Sequence, residues 1–168
     1  MTVRQMTRIA ILSSLCVALR LLFGAFPNIK PITAIFLLLI GYLPFWQVVT
    51  IASLTMLVTG LYLGFGIWVI WQIVAYIVVL AIWKALTTVL FGKKEATLVL
   101  QTILSGVMPF IYSLVMALFS SVTYGTSLWP YVINGLSFDV LHAVSTVCFY
   151  PILFYILRRF FVYEKNIF

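Results

Sequence analysis

A chain of 168 residues that is 65% hydrophobic and 8% charged, with a mean hydropathy of +1.23, is too apolar for a water-soluble domain, which is nearer half apolar and a quarter charged. It reads as an all-α integral membrane protein, one transmembrane domain over residues 1–168; a spanning helix takes roughly 20 residues, so a bundle of six transmembrane helices is expected. The formal charge of +7 does not point to nucleic acid, because the basic residues flank apolar runs as membrane insertion requires.

Arg4 and Arg8 precede the first expected span, residues 6–25. Small residues recur in it at every fourth position, Ala10, Ser14 and Ala18, a stripe that lets another helix approach closely. Arg20 lies near its far end. Phe26-Pro-Asn-Ile-Lys-Pro-Ile carries two prolines and reads as a loop; it brings Asn28, Lys30 and Thr33 to the outer mouth. The second span, 33–42, is short and aliphatic, and Pro44 separates it from the third, 46–61. This pair is so short that a single re-entrant or broken element is the alternative. Gly60 and Gly64 have the four-residue spacing of a close helix contact. The fourth span, 67–91, starts with Trp68, Trp71, Gln72 and Tyr76. Trp68, Gln72 and Tyr76 are four residues apart and share a face.

Lys84 and the Gly92-Lys-Lys-Glu95 connection read as cytoplasmic. The fifth span, 96–122, contains Pro109, which is expected to kink it. Trp129 and Tyr131 introduce the sixth span, 132–161. That span holds Asn134, the chain's one Asp, Asp139, and its one His, His142. Asp139 and His142 are three residues apart, so they share a face. Six spans place both termini on one side. Arg4, Arg8, Lys84, Lys93, Lys94, Arg158, Arg159 and Lys165 then fall at cytoplasmic ends, and Arg20 and Lys30 near the outside, as the positive-inside rule expects. Cys16 and Cys148 lie in apolar runs, far from each other in sequence, and read as small buried residues.

Ionisable groups at bilayer depth are costly and face a protein-lined cavity. Asp139 reads either as a ligand-binding carboxylate or as the partner of Arg20, which sits at similar depth. His142 reads as a ligand hydrogen-bonder or as a satisfied interior group. The amides of Gln72 and Asn134 offer a ligand donors and an acceptor. Trp68, Trp71, Tyr76, Trp129 and Tyr131 either line the pocket or form an interfacial belt. One His and one Asp supply neither a haem nor a catalytic metal set, so no cofactor, metal site or enzymatic activity is expected. No GxxxxGK[ST] motif occurs, so ATP-driven work is expected to come from another polypeptide.

The stripe Ala10, Ser14, Ala18, the loop at 26–33, the series Gly60, Gly64, Gly66, Trp68, Gln72, and Gly-Leu-Ser-Phe-Asp-Val-Leu-His-Ala at 135–143 come in one order along most of the chain. In this the sequence resembles the S-components, the substrate-binding membrane subunits of energy-coupling factor (ECF) vitamin transporters. It departs from that pattern at Ser145-Thr146, where similar chains often carry Gly-Asn, so one cavity hydrogen-bonder is expected to be lost. The resemblance implies a multi-pass protein of a bacterial plasma membrane with both termini cytoplasmic. It implies a vitamin ligand bound at the outer face and a lid at 26–33. It also implies partners: a transmembrane coupling subunit, docked on the stripe of the first span, and two cytoplasmic ATPase subunits. The subunit would topple in the bilayer to deliver its ligand. The Pro-Asn-x-x-Pro loop and an aromatic, nearly uncharged mouth favour cobalamin; pantothenate, a pyrimidine precursor and pyridoxine stay open. The rival readings are a stand-alone transporter with Asp139 as proton relay and a scaffold subunit that binds no ligand.

Overall fold

The computed structural model describes residues 1–91 and 97–167, with side chains for 1–90 and 97–162. Glu95, Lys93, Lys94 and the side chain of Lys165 lie outside the described residues. Among the described residues seven helices account for most of the chain and no strand occurs: α1 Val3–Leu22, α2 Ile32–Leu39, α3 Phe45–Leu63, α4 Ile67–Phe91, α5 Leu98–Ser105, α6 Met108–Tyr124 and α7 Leu128–Ile167. Five segments are long and apolar enough to cross a membrane: α1, α3, α4, the α5–α6 run and α7.

The second expected span is where the sequence reading needs correction. It is α2, only eight residues long, and at 1.5 Å per residue it rises about 12 Å, far short of the roughly 30 Å hydrocarbon core. All eight of its residues are buried. A helix this apolar is either a membrane span or buried core; α2 is too short for a span and is packed among α1, α3, α4 and α7. Trp83 of α4 donates its indole N–H to the Leu37 carbonyl at 3.0 Å, which ties α2 to α4.

The short helix still returns the chain. Thr33 meets His142, and Tyr42, just after α2, stacks on Phe161 at 4.7 Å. So α2 runs parallel to α7. Arg8 of α1 lies over the same Phe161 ring at 6.0 Å, and Lys84 of α4 lies over Phe45 of α3 at 5.4 Å. The start of α1, the start of α3, the end of α4 and the end of α7 therefore gather at one end of the bundle. The chain's two ends share that end, together with most of the described basic residues.

Two breaks follow from local sequence. The fifth expected span divides into α5 and α6 at Gly106-Val107, with Pro109 in the first turn of α6. Proline lacks the N–H that would continue the ladder. Gly106 also admits α7: a Cβ there would lie 2.7 Å from Val147 Cγ2. Gly60 and Gly64 do not form one packing face as their spacing suggested. Gly60 lets α3 meet α4, since a Cβ there would stand 3.0 Å from Val69. Gly64 instead ends α3 at φ +102, a conformation open to glycine. Pro151 is accommodated within α7 without ending it. Cys16 is buried, as expected, and Cys148 is exposed, against expectation.

Candidate functional site

The other end of the bundle holds a polar cavity of about 100 Å³, partly open to the outside. Arg20 of α1, Asn28 and Lys30 of the following loop, Ile32 of α2, Gln72 and Tyr76 of α4, Tyr112 of α6 and His142 of α7 line it. From His142 to Phe161 along α7 is about 28 Å at the helical rise, so the cavity and the basic end are well separated. It brings charged and polar side chains together beside a large apolar core.

Its floor is a hydrogen-bonded chain. Thr33 Oγ1 lies 3.0 Å from the Tyr76 hydroxyl and 2.8 Å from His142 Nε2. One hydroxyl carries one proton, so with a neutral ring accepting at Nε2 the order is Tyr76 to Thr33 to His142. Tyr112 packs on both ends of that chain, 4.7 Å from the Tyr76 ring and edge-on to His142 at 5.9 Å. Phe36 meets Tyr76 edge-on from α2. These contacts join α2, α4, α6 and α7 around the polar groups.

The wall is set by Arg20. Its Nη2 donates to Gln72 Oε1 at 3.0 Å, and Nη1 points at the Met56 sulfur of α3. The expected pairing of Arg20 with Asp139 is not what forms. Asp139 is bonded to Ser113 of α6, beside Gly135, whose missing Cβ leaves room for both groups at 3.7 and 3.8 Å. Among the described residues no ion pair joins Arg20 to Asp139. Facing the same helix sector was a matter of register; Asp139 faces the α6 seam, whereas Arg20 reaches toward α4.

The loop over the cavity is tied to α7. Asn28 takes a left-handed φ of +56, which Asn tolerates better than most side chains, and donates to the Phe138 carbonyl at 3.1 Å. Ser145 accepts the Lys30 N–H at 3.0 Å and donates to the Lys30 carbonyl at 3.2 Å. The departure at Ser145-Thr146 is thus where the loop is anchored, while Thr146 bonds back to the His142 carbonyl. Burial first, and the Arg20 guanidinium second, push the Lys30 ammonium below the usual lysine range.

Of the residues chosen from sequence, Asn28, Lys30, Gln72, Tyr76 and His142 line the cavity, and Thr33 joins two of them. Trp68, Trp129 and Asn134 do not: all three are exposed. Trp68 folds its ring over Gly66, and Trp71 stacks on Phe119 at 4.2 Å, sealing α4 to α6. Asp139 is buried beside the cavity without lining it. Sequence reasoning missed Tyr112, Ile32 and Ser145 as parts of the site. Tyr112 carried a signal, as a phenol on a buried face; Ser145 lies one turn beyond His142.

The three stripe residues Ala10, Ser14 and Ala18 are all exposed on α1, and the neighbouring Ile9, Leu12, Ser13 and Cys16 turn inward. Among the described residues no group of three His, Cys, Asp or Glu gathers to hold a metal. Comparison of the chain with protein-family models, with curated proteins and with solved structures gives no match in any of the three.

Proposed function

We propose that this chain is a membrane subunit that binds a small vitamin-like molecule in the cavity near Arg20 and His142, acting as the S-component of an ECF-type importer. The observation that carries the reading is the cavity itself. Buried ionisable and polar groups in membrane helices are costly and serve function by default, and here they converge from four helices and a tethered loop. With the basic end cytoplasmic, the cavity opens on the outer side, where an importer meets its ligand. The outward stripe Ala10, Ser14, Ala18 offers a flat surface for a coupling subunit, which two ATPase subunits would drive.

Two features refine the expectation. The mouth is not uncharged, because Arg20 and Lys30 both face it. The cavity is also small beside the roughly 300–1,000 Å³ of drug-sized ligand sites. The volume argues for a ligand far smaller than cobalamin, and the charge removes the uncharged mouth that favoured cobalamin. The rival proton-relay reading loses support because Asp139 is engaged by Ser113 and does not line the cavity.

The test is uptake and binding measured together. Cells carrying this chain and a cognate energising module should accumulate the ligand in an ATP-dependent way, and the purified chain alone should bind it. Gln72→Ala should weaken binding, and Asn134→Ala should leave it unchanged. Uptake by the chain alone, driven by a proton gradient, would return the stand-alone transporter.

A further inference from the structure

Two cations face one small cavity, and no anion among the described residues answers them. The Arg20 guanidinium has five N–H donors, and its protein partners are the Gln72 amide oxygen and the Met56 sulfur, both neutral. The Lys30 backbone is pinned at both its N–H and carbonyl by Ser145, and its ammonium, which lines the cavity, has no acceptor among the described residues. Asp139 is the one carboxylate among the described side chains, and it is turned to Ser113 on the α6–α7 seam. The chain's other acids, Glu95 and Glu164, stand in sequence next to Lys94 and Lys165, and their side chains lie outside the described residues.

Like charges that share a poorly hydrated space raise each other's cost, and Arg20 is one of the two causes that depress the Lys30 ammonium. An entering anion removes that cost from both at once. The guanidinium suits a planar carboxylate, which it can grip with two parallel bonds, and Gln72 already holds one edge of it. The rest of the lining, Asn28, Ile32, Tyr76, Tyr112 and His142, carries no acid group; it suits the hydroxyl, amide or ring parts of a ligand.

We propose that the cavity takes a small organic anion, its acid group seated between Arg20 and Lys30 and its neutral part over Tyr76, Tyr112 and His142. This rests on the cavity being the ligand site, and it goes further by fixing the charge class of the ligand. Among ligands of suitable size it favours acids such as pantothenate over neutral pyrimidines or pyridoxine.

The experiment uses the full chain in lipid nanodiscs and matched pairs of probes: pantothenate against pantothenol, orotate against uracil, pyridoxine phosphate against pyridoxine. Calorimetric titration gives the affinities, and native mass spectrometry of the untreated protein reports any molecule already bound. In at least one pair the acid should bind about tenfold more tightly or better, the scale of a charged hydrogen bond. The first pair and the last separate a carboxylate from a phosphate. Lys30→Gln should remove most of that preference; because Lys30 lies in the loop, the bundle should fold without it. Arg20→Lys keeps the charge and loses the fork, and should retain part. A neutral member that binds as tightly as its acid overturns the charge assignment and leaves the binding reading intact. If no probe binds, the bound molecule decides: an acid supports the assignment and a neutral one refutes it. No probe bound and no molecule carried would overturn both.

Discussion

The hydroxyl of Thr33 is the smallest group whose removal should disturb both stability and binding. Thr33 is 1% exposed, Tyr76 3% and His142 9%, so water cannot readily replace the hydroxyl. Thr33→Val keeps the branched shape and removes the shared partner of Tyr76 and His142. Hydrogen bonds between membrane helices average about 0.6 kcal/mol and reach about 1.7; a buried group left unsatisfied costs about 1–3 kcal/mol in soluble proteins. Two bonds are lost and two groups stranded, so the change should cost about 1–3 kcal/mol. Thr33→Ser keeps the hydroxyl and loses only a methyl, and should cost less. The assay is reversible unfolding in mixed micelles, followed by ligand titration. Affinity should also fall by about fivefold or more, the equivalent of roughly 1 kcal/mol, because the floor groups are then free to turn away. If Thr33→Val equals wild type in both measurements, or if the serine variant is equally damaged, the hydrogen-bonded floor does not organise the site.

Arg20→Met and Asp139→Leu should destabilise independently, with a double-mutant coupling below about 0.5 kcal/mol, since their partners differ; recovery in the double variant would restore the ion pair that the sequence suggested. Leu at position 10, 14 or 18 should abolish coupled uptake and leave binding to the isolated chain unchanged, because all three side chains point outward; an equal loss of binding would make the stripe part of the internal packing. Lys30 supplies a pH test. Its folded pKa is lowered, so between that value and the unfolded 10.5 the unfolded chain holds more protons and stability rises with pH; a thermal-stability profile should show that rise in the wild type and lose it in Lys30→Gln.

Much of the bundle was legible because membrane helices announce themselves by length and apolarity. α1, α3, α4 and α7 fall where the apolar runs place them, and Pro109 marks the α5–α6 break. α2 was not legible as what it is. Its eight residues, all apolar but Thr33, look like a short span in sequence, and only the surrounding helices reveal that they fill the bundle's centre. The site followed the same division. His142, Gln72 and Lys30 stand out because polar residues are scarce in an apolar chain. Register misled at Asp139, since sharing a face with His142 does not fix which neighbour the side chain meets. Aromatic residues misled at Trp68 and Trp129, because an indole suits the membrane surface as well as a pocket. Ser145 was unreadable, since its role depends on a loop more than a hundred residues earlier in the chain.

Native mass spectrometry of the protein released from its own membranes tests the central claim most directly. A one-to-one small-molecule adduct is expected on the wild-type chain. It should be absent from Gln72→Trp, in which the larger side chain fills the cavity from α4, and retained by Asn134→Trp, which changes only an exposed face. An adduct that survives on Gln72→Trp, or a wild-type chain that carries and accepts no small molecule, would contradict the assignment of this cavity as a ligand site.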